Sequence, residues 1–347
     1  MSLRNDRARL ERDWGIVPMA SDYLPDEFRR NYQMAMDAQP ALVTTANAGI
    51  PAMFTSYVDP EVIRILQAPN EGANILGERK TGSWTDRTAF FPVVENTGEV
   101  AAYGDRNTNG RSNANASWPQ RQSFHFQTVI EYGDMEVDMA GEAKLNWVAE
   151  QQQSAALTLD KFMDYCYHFG VNNLQNYGIL NDPSLPAALT PVTKTEGGLG
   201  TSWGTTGAYA SPNEIFNDFQ ILFNGLVTQT QGRVKSKDKM TFACSPSREA
   251  ALLSVNIYGL SAMKMIKDAF PNLEVKSSPR YTVSGTEHVQ LIAQKFDGKD
   301  TGYCSFTEKM RDHPVVRDLS SFRQKKTAGN WGAIIRYPVA FAQMTGV

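Results

Sequence analysis

The sequence predicts an α+β chain in which a β layer is left and re-entered around a second, mixed unit. Three observations predict it: an uninterrupted helical stretch between Gly141 and Gly170, a strand-and-turn texture from Gly77 to Gly141, and a helix–strand–helix–helix–strand order from Ser211 to Val275. Strand-like sequence returns from about Gly302 to Val347. At 347 residues the chain has room for two units at roughly 150 residues per domain.

The first sixty residues are punctuated by Pro18, Pro25, Pro40, Pro51 and Pro60. Proline fixes its own φ and restricts the residue before it, so residues 1–60 read as an extended arm, or else as a subdomain of loops and short helices, with a short helix from Pro60 to Leu66. Thr88 to Glu95 is β-prone, and Asn96-Thr97-Gly98 is a turn signal. A polar run rich in Gly, Asn and Ser follows from Gly104 to Ser117, and Ser123 to Ile130 is again strand-like. Residues 77–121 thus form a long β excursion with a polar tip. Loops of that length inside a compact protein are functional or await a partner.

Between Gly141 and Gly170 there is neither Gly nor Pro across 28 residues. Leu145, Val148, Gln152, Ala155, Leu159, Phe162 or Met163, Cys166 and Phe169 recur at spacings of three and four, which predicts a spine helix capped by Gly170. Such a helix is roughly 40 Å long at 1.5 Å per residue. Asn181 to Ala210 reads as loop. Ser211-Pro212-Asn213-Glu214 is a capping box with Pro in the first turn, opening a helix with Ile215, Phe219, Leu222 and Leu226 on its apolar face. Met240 to Cys244 is a short strand, Ser245-Pro246 opens a helix from Arg248 to Val255, and another from Ser261 stops at Phe270-Pro271. Leu273 resumes strand, and Trp331 to Met344 reads as one closing strand.

Lys plus Arg is 34 and Asp plus Glu is 37, a net charge of -3 with a pI near 5.9. That balance argues against a dedicated nucleic-acid binder, whose domains usually exceed a pI of about 9. No stretch of ~20 apolar residues spans a membrane. The charged start, Met1 to Arg7, carries no signal-peptide pattern. Three scattered cysteines, Cys166, Cys244 and Cys304, frame neither a disulfide scaffold nor a metal cluster, and read as buried inert thiols.

The chemistry-bearing candidates are few. Asp105, Asn107, Asn109 and Gly110 match the front of a calcium loop, but the twelfth position is Ala116 rather than Glu and the flanks are not helical, so a hairpin tip is the better reading. His125, His168, His288 and His313 lack ligand spacing and read as hydrogen-bonded structural residues. Asp134, Glu136 and Asp138 alternate with Met135, Val137 and Met139, placing the carboxylates on one face of a strand. A solvated strand face is favoured for them; a basic partner surface or a carboxylate-dependent hydrolase are the other readings. The tract Gly197 to Gly204 fits no nucleotide-binding fingerprint. Catalytic, cofactor and metal sites are accordingly expected to be absent.

The order of elements resembles the major capsid proteins of tailed bacteriophages, the Hong Kong 97-type capsid fold that encapsulins also use. Asn176-Tyr177-Gly178-Ile179-Leu180-Asn181-Asp182-Pro183 is similar to the Gly-Leu-Leu-Asn junction of that family, and Arg336-Tyr337-Pro338-Val339-Ala340-Phe341-Ala342 to its closing Arg-x-Pro strand. The resemblance implies an N-terminal arm (1–60), an extended β loop (77–121) lying over a neighbouring subunit, a peripheral domain with the spine helix (61–76, 122–184 and 297–347) and an axial domain (185–296). It implies self-assembly through pentamers and hexamers into an icosahedral shell around double-stranded DNA that is only weakly contacted. Scaffolding, portal and decoration proteins are implied partners, and the location is the virion capsid, assembled in the host bacterial cytoplasm. Asp105, Asn107, Arg111, Trp118, Arg121, Asp134, Glu136 and Asp138 are the expected intersubunit contacts. An encapsulin-like compartment is the alternative.

Overall fold

The computed structural model describes residues 69–142, 146–195, 200–205, 208–256 and 258–347. The expected arm at 1–60 and the helix at Pro60 lie outside them. Helix α1 (Gly72–Leu76) leads into β1 (Glu78–Lys80), and the excursion follows as β2 (Thr88–Phe90), β3 (Val93–Gly98), β4 (Ser112–Ser117) and β5 (Gln120–Gln122). β2 pairs with β5 and β3 with β4, both antiparallel. The turn expected at Asn96-Thr97-Gly98 is strand instead. Its six-residue register runs from Val93 opposite Ser117 to Gly98 opposite Ser112, so the chain reverses only at residues 99–111.

β6 (Phe124–Gly133) is followed by helix α2 (Asp134–Glu142), which corrects the strand expected to carry Asp134, Glu136 and Asp138. The strand stops where its partner does, since Gly133 pairs with the first residue of the long strand that begins at Ser321. Beyond that point Asp134 and Glu136 occupy a helical first turn, where carboxylates meet the positive end of the dipole. Glu136 also accepts the Gly133 N–H at 3.3 Å.

The spine helix is α3 (Trp147–Phe169), with Asn146 as N-cap and the Gly170 N–H donating to the Cys166 carbonyl at 2.7 Å. Ala155, Leu159, Met163 and Cys166 form its buried stripe. Burying such side chains contributes about 1.5–3 kcal/mol each for the larger ones. After short β7 (Gly204–Thr205) and β8 (Ala208–Tyr209), helix α4 (Pro212–Gln229) opens on the expected capping box: Ser211 and Glu214 satisfy each other's backbone N–H. Next come β9 (Met240–Cys244), α5 (Pro246–Leu252), α6 (Ala262–Ala269), β10 (Leu273–Ser277), β11 (Thr282–Val283) and β12 (Thr286–Ala293). α5 opens at Ser245-Pro246, as the sequence signals, and ends at Leu252 rather than Val255. The hairpin β13 (Lys295–Phe296) and β14 (Lys299–Asp300) precedes β15 (Gly302–Asp312), β16 (Val316–Arg317), β17 (Ser321–Ile335) and β18 (Phe341–Thr345).

Two sheets result. The first has the order β1-β15-β17-β16, with β6 also on β17; the second runs β10-β9-β12, with β18 and β11 against β12. β1 is parallel to β15 and β10 to β9, and the other pairings are antiparallel. The single closing strand expected from Trp331 to Met344 is therefore two strands in two sheets. Pro338 begins a short 3-10 turn between them, because proline cannot donate to a ladder. α3 packs on β17, β6 and β15, α4 packs on β18 and α6, and one hydrophobic cluster runs through both layers.

The layers are fastened where the spine helix ends. A Cβ on Gly178 would lie 2.2 Å from the His168 carbonyl, and one on Gly332 would lie 2.3 Å from the Tyr177 carbonyl. Gly332 also has φ +73, so it is required twice, for space and for backbone conformation. Ala333 N–H donates to the Tyr177 carbonyl at 2.8 Å and Asn181 Nδ2 donates to the Phe169 carbonyl at 2.5 Å. The junction Asn176 to Asn181 thus clamps the helix C-terminus onto β17.

Candidate assembly surfaces

The most exposed element is the β3–β4 ribbon. Every side chain of β4 is exposed, and Val93, Val94, Val100 and Tyr103 are exposed large apolar groups on the ribbon and its tip. Two-stranded ribbons are marginal in water and need another surface to be stable. Its tip is ordered by its own side chains. Asp105 accepts the Tyr103 hydroxyl at 2.7 Å, while Asn107 donates to the Ala102 carbonyl at 2.8 Å and accepts the Asn109 N–H at 2.9 Å. Gly110 has φ +90. The calcium-like spacing is therefore a hairpin-tip arrangement, with Asn107 used as a turn former. Among the described residues no group of His, Cys, Asp and Glu could hold a metal.

Arg111 and Trp118 are exposed on the ribbon, and the Arg111 carbonyl accepts the Glu99 N–H at 2.9 Å. Arg121 differs. Its guanidinium reaches Asp182 at 2.7 Å and lies 4.8 Å from the Tyr177 ring centroid, and its side chain is 15% exposed. This pair fixes the base of the ribbon to the junction after the spine helix. Sequence reasoning could not find it, because 61 residues separate the partners.

At the far end of the first sheet, Asp134 meets Arg317 at 3.8 Å and Glu131 meets Arg323 at 3.1 Å. These pairs are about half exposed, and such pairs contribute only about 0–1 kcal/mol. Met135 and Met139 are exposed on α2 beside Asp138. A polar hollow of about 640 Å³ is lined by Gln122, Asn181 and the turn 171–177; none of the three α2 carboxylates lines it.

His168 and the three cysteines are buried. His168 is buried with Nδ1 at 2.8 Å from the Asp164 carbonyl and Nε2 at 3.0 Å from Ser278 Oγ. Burial outweighs the attraction of Asp164 and holds its pKa below the ordinary value. Burial pushes the Cys166 thiol up to about 12 and also raises Cys244 and Cys304. Cys244 sits beside the α5 N-terminus, yet desolvation dominates.

Comparison with known proteins decides the family. The sequence model described as Pa193 gp26 major capsid protein matches residues 41–346. The chain belongs to that family. The capsid of Myoviridae phage XM1 is similar in structure, with a TM-score of 0.71 at 14% identity, covering 87% of this chain and 100% of that one. Gordonia phage Cozz gives a TM-score of 0.55 at 11% identity over 88% of this chain and 96% of that one. The capsid of the native GTA particle gives 0.56 at 10% identity over 87% and 99%. Among curated proteins no match is found. The chain is a phage major capsid protein, a mixed helix-and-sheet shell-forming subunit. Among the described residues no helix is long and apolar enough to cross a membrane.

Proposed function

We propose that this capsid protein builds the icosahedral shell of a tailed bacteriophage in the Hong Kong 97 manner, as pentamers and hexamers around double-stranded DNA. The observation that carries this reading is the β3–β4 ribbon, exposed along β4 and too small to be stable alone. It acquires a third surface when laid on the next subunit, and symmetry multiplies each such contact. Asp105, Asn107, Arg111 and Trp118 are the ribbon residues that would touch the neighbour. Arg121 would act from behind by holding the ribbon base. Asp134, Glu136 and Asp138, with Met135 and Met139, would form a second contact at the far end of the first sheet.

In this reading residues 61–76, 122–184 and 297–347 are the peripheral domain and 185–296 the axial domain, with β18 crossing to complete the axial sheet. Assembly in the host bacterial cytoplasm would involve scaffolding and portal proteins, and the mature location is the virion. The role is mechanical rather than enzymatic: the α2 carboxylates, the candidates for hydrolysis, lie on an exposed helix away from the polar hollow. An encapsulin-like compartment would share the fold but not the Pa193 gp26 family match.

Replacing 93–117 by a short Gly-Ser turn tests the reading. The subunit should still unfold cooperatively, while rings and shells disappear from micrographs. Normal shells from the shortened chain would overturn the ribbon's role.

A further inference from the structure

The connection between α4 and β9 carries a run of exposed positive charge. Arg233, Lys235, Lys237 and Lys239 are all exposed, against one carboxylate, Asp238, in a chain whose net charge is -3. The segment is held in place. Val234 is 4% exposed and anchors it in the core, and the exposed Asp238 closes the turn by accepting the Lys235 N–H at 2.8 Å. The Lys239 carbonyl accepts the Gln294 N–H at 3.0 Å, which brings the β13–β14 hairpin with Lys295 and Lys299 alongside. Arg233 pairs with Asp297 at 3.1 Å, both side chains more than 60% exposed. Among the described residues, no ion pair engages Lys235, Lys237 or Lys239, whereas on the hairpin Lys295 stands opposite Asp300.

The composition of the patch says which polyanion it suits. Protein–protein interfaces deplete lysine and enrich aromatic and large apolar groups. Within the loop itself, residues 231–239, no large apolar side chain is exposed. By contrast α2, the acidic surface, exposes Met135 and Met139 at 70% and 58%. Lysines are hydrated point charges on flexible stems, suited to phosphates at no fixed geometry. We propose that the Arg233–Lys239 loop is a sequence-independent phosphate contact for nucleic acid, and that it marks the face the subunit turns toward the enclosed DNA. This rests on the reading of the chain as a DNA-enclosing shell protein. It refines the idea of weakly contacted contents: the contact is local and salt-sensitive within an otherwise acidic chain.

The test uses the full chain before assembly and a fluorescent mixed-sequence DNA duplex, with anisotropy followed over a range of salt. Binding should weaken linearly in log–log form, and K235Q/K237Q/K239Q should reduce the slope by about 3, close to one per lost phosphate contact. K80Q/K309Q/K325Q, on the first sheet, should leave the slope unchanged. Equal slopes for both triple variants would overturn the proposal. So would a loop variant that binds DNA as before but no longer forms shells, which would mark the loop as a contact for an acidic protein surface. Micrographs of the unsubstituted chain separate the two readings: a shifted slope without any shells would sink the DNA-enclosing shell and leave the phosphate contact standing.

Discussion

Arg280 Nε donates to Asp164 Oδ2 at 2.5 Å, tying the C-terminal part of the spine helix to the turn that follows β10. Both side chains are under 5% exposed, and the other Asp164 oxygen accepts the Gly72 N–H at 2.7 Å. One carboxylate therefore joins three segments across both layers. Removing one partner of a buried pair strands the other charge, which costs about 3–5 kcal/mol. R280M should destabilise the unassembled chain by that amount, measured by denaturant unfolding followed by fluorescence. A loss below about 1 kcal/mol, the range of exposed pairs, would show that the pair is solvated.

His168 sits in the same seam, and its pKa is held below the ordinary 6.5 chiefly by burial. The folded state keeps it neutral while the unfolded chain takes up a proton. Stability is thus fully present above about pH 6.5 and falls as the pH drops below it, by at most about 1.4 kcal/mol per pH unit for this group. H168Q should flatten that acid limb in unfolding curves between pH 7 and 5. An unchanged slope would mean that His168 is charged when folded.

Gly332 faces the Tyr177 carbonyl at the clamp between β17 and the spine-helix end. G332A adds backbone overlap to an unfavourable φ, and should cost about 3 kcal/mol or more. Gly77 has φ +81, and a Cβ added there would meet nothing within 4 Å. It provides the comparison, since G77A carries strain alone. Thermal melts of the two variants should show the larger loss for G332A, and equal shifts would remove the packing argument.

Cys166, Cys244 and Cys304 are buried free thiols with raised pKa values. A thiol reagent at neutral pH should modify none of them in the native chain and all three in denaturant, because the reactive thiolate is suppressed. Rapid native labelling of Cys244 would show that the α5 N-terminus activates it after all.

Much of the local structure is legible in the sequence because its signals are local. Ser211 and Glu214 announce α4, Ser261 and Phe270 bracket α6, and Gly170 ends the spine helix. What is not legible depends on distant partners. Asp134 to Met139 alternates like a strand, but β17 begins opposite Gly133 and no ladder continues beyond it. Phe341 to Thr345 looks continuous with β17, yet its partner is β12. Arg121 reads as free for a neighbour, whereas the fold sets Asp182 beside it. The basic loop at 233–239 is hidden in the sequence because net charge averages over the chain.

The central claim is that this subunit closes into shells. Electron microscopy of the purified chain, alone and co-expressed with the scaffolding protein proposed for it, addresses it most directly. Rings of five and six subunits and closed icosahedral particles are the expected result. A chain that stays strictly monomeric under both conditions would contradict it.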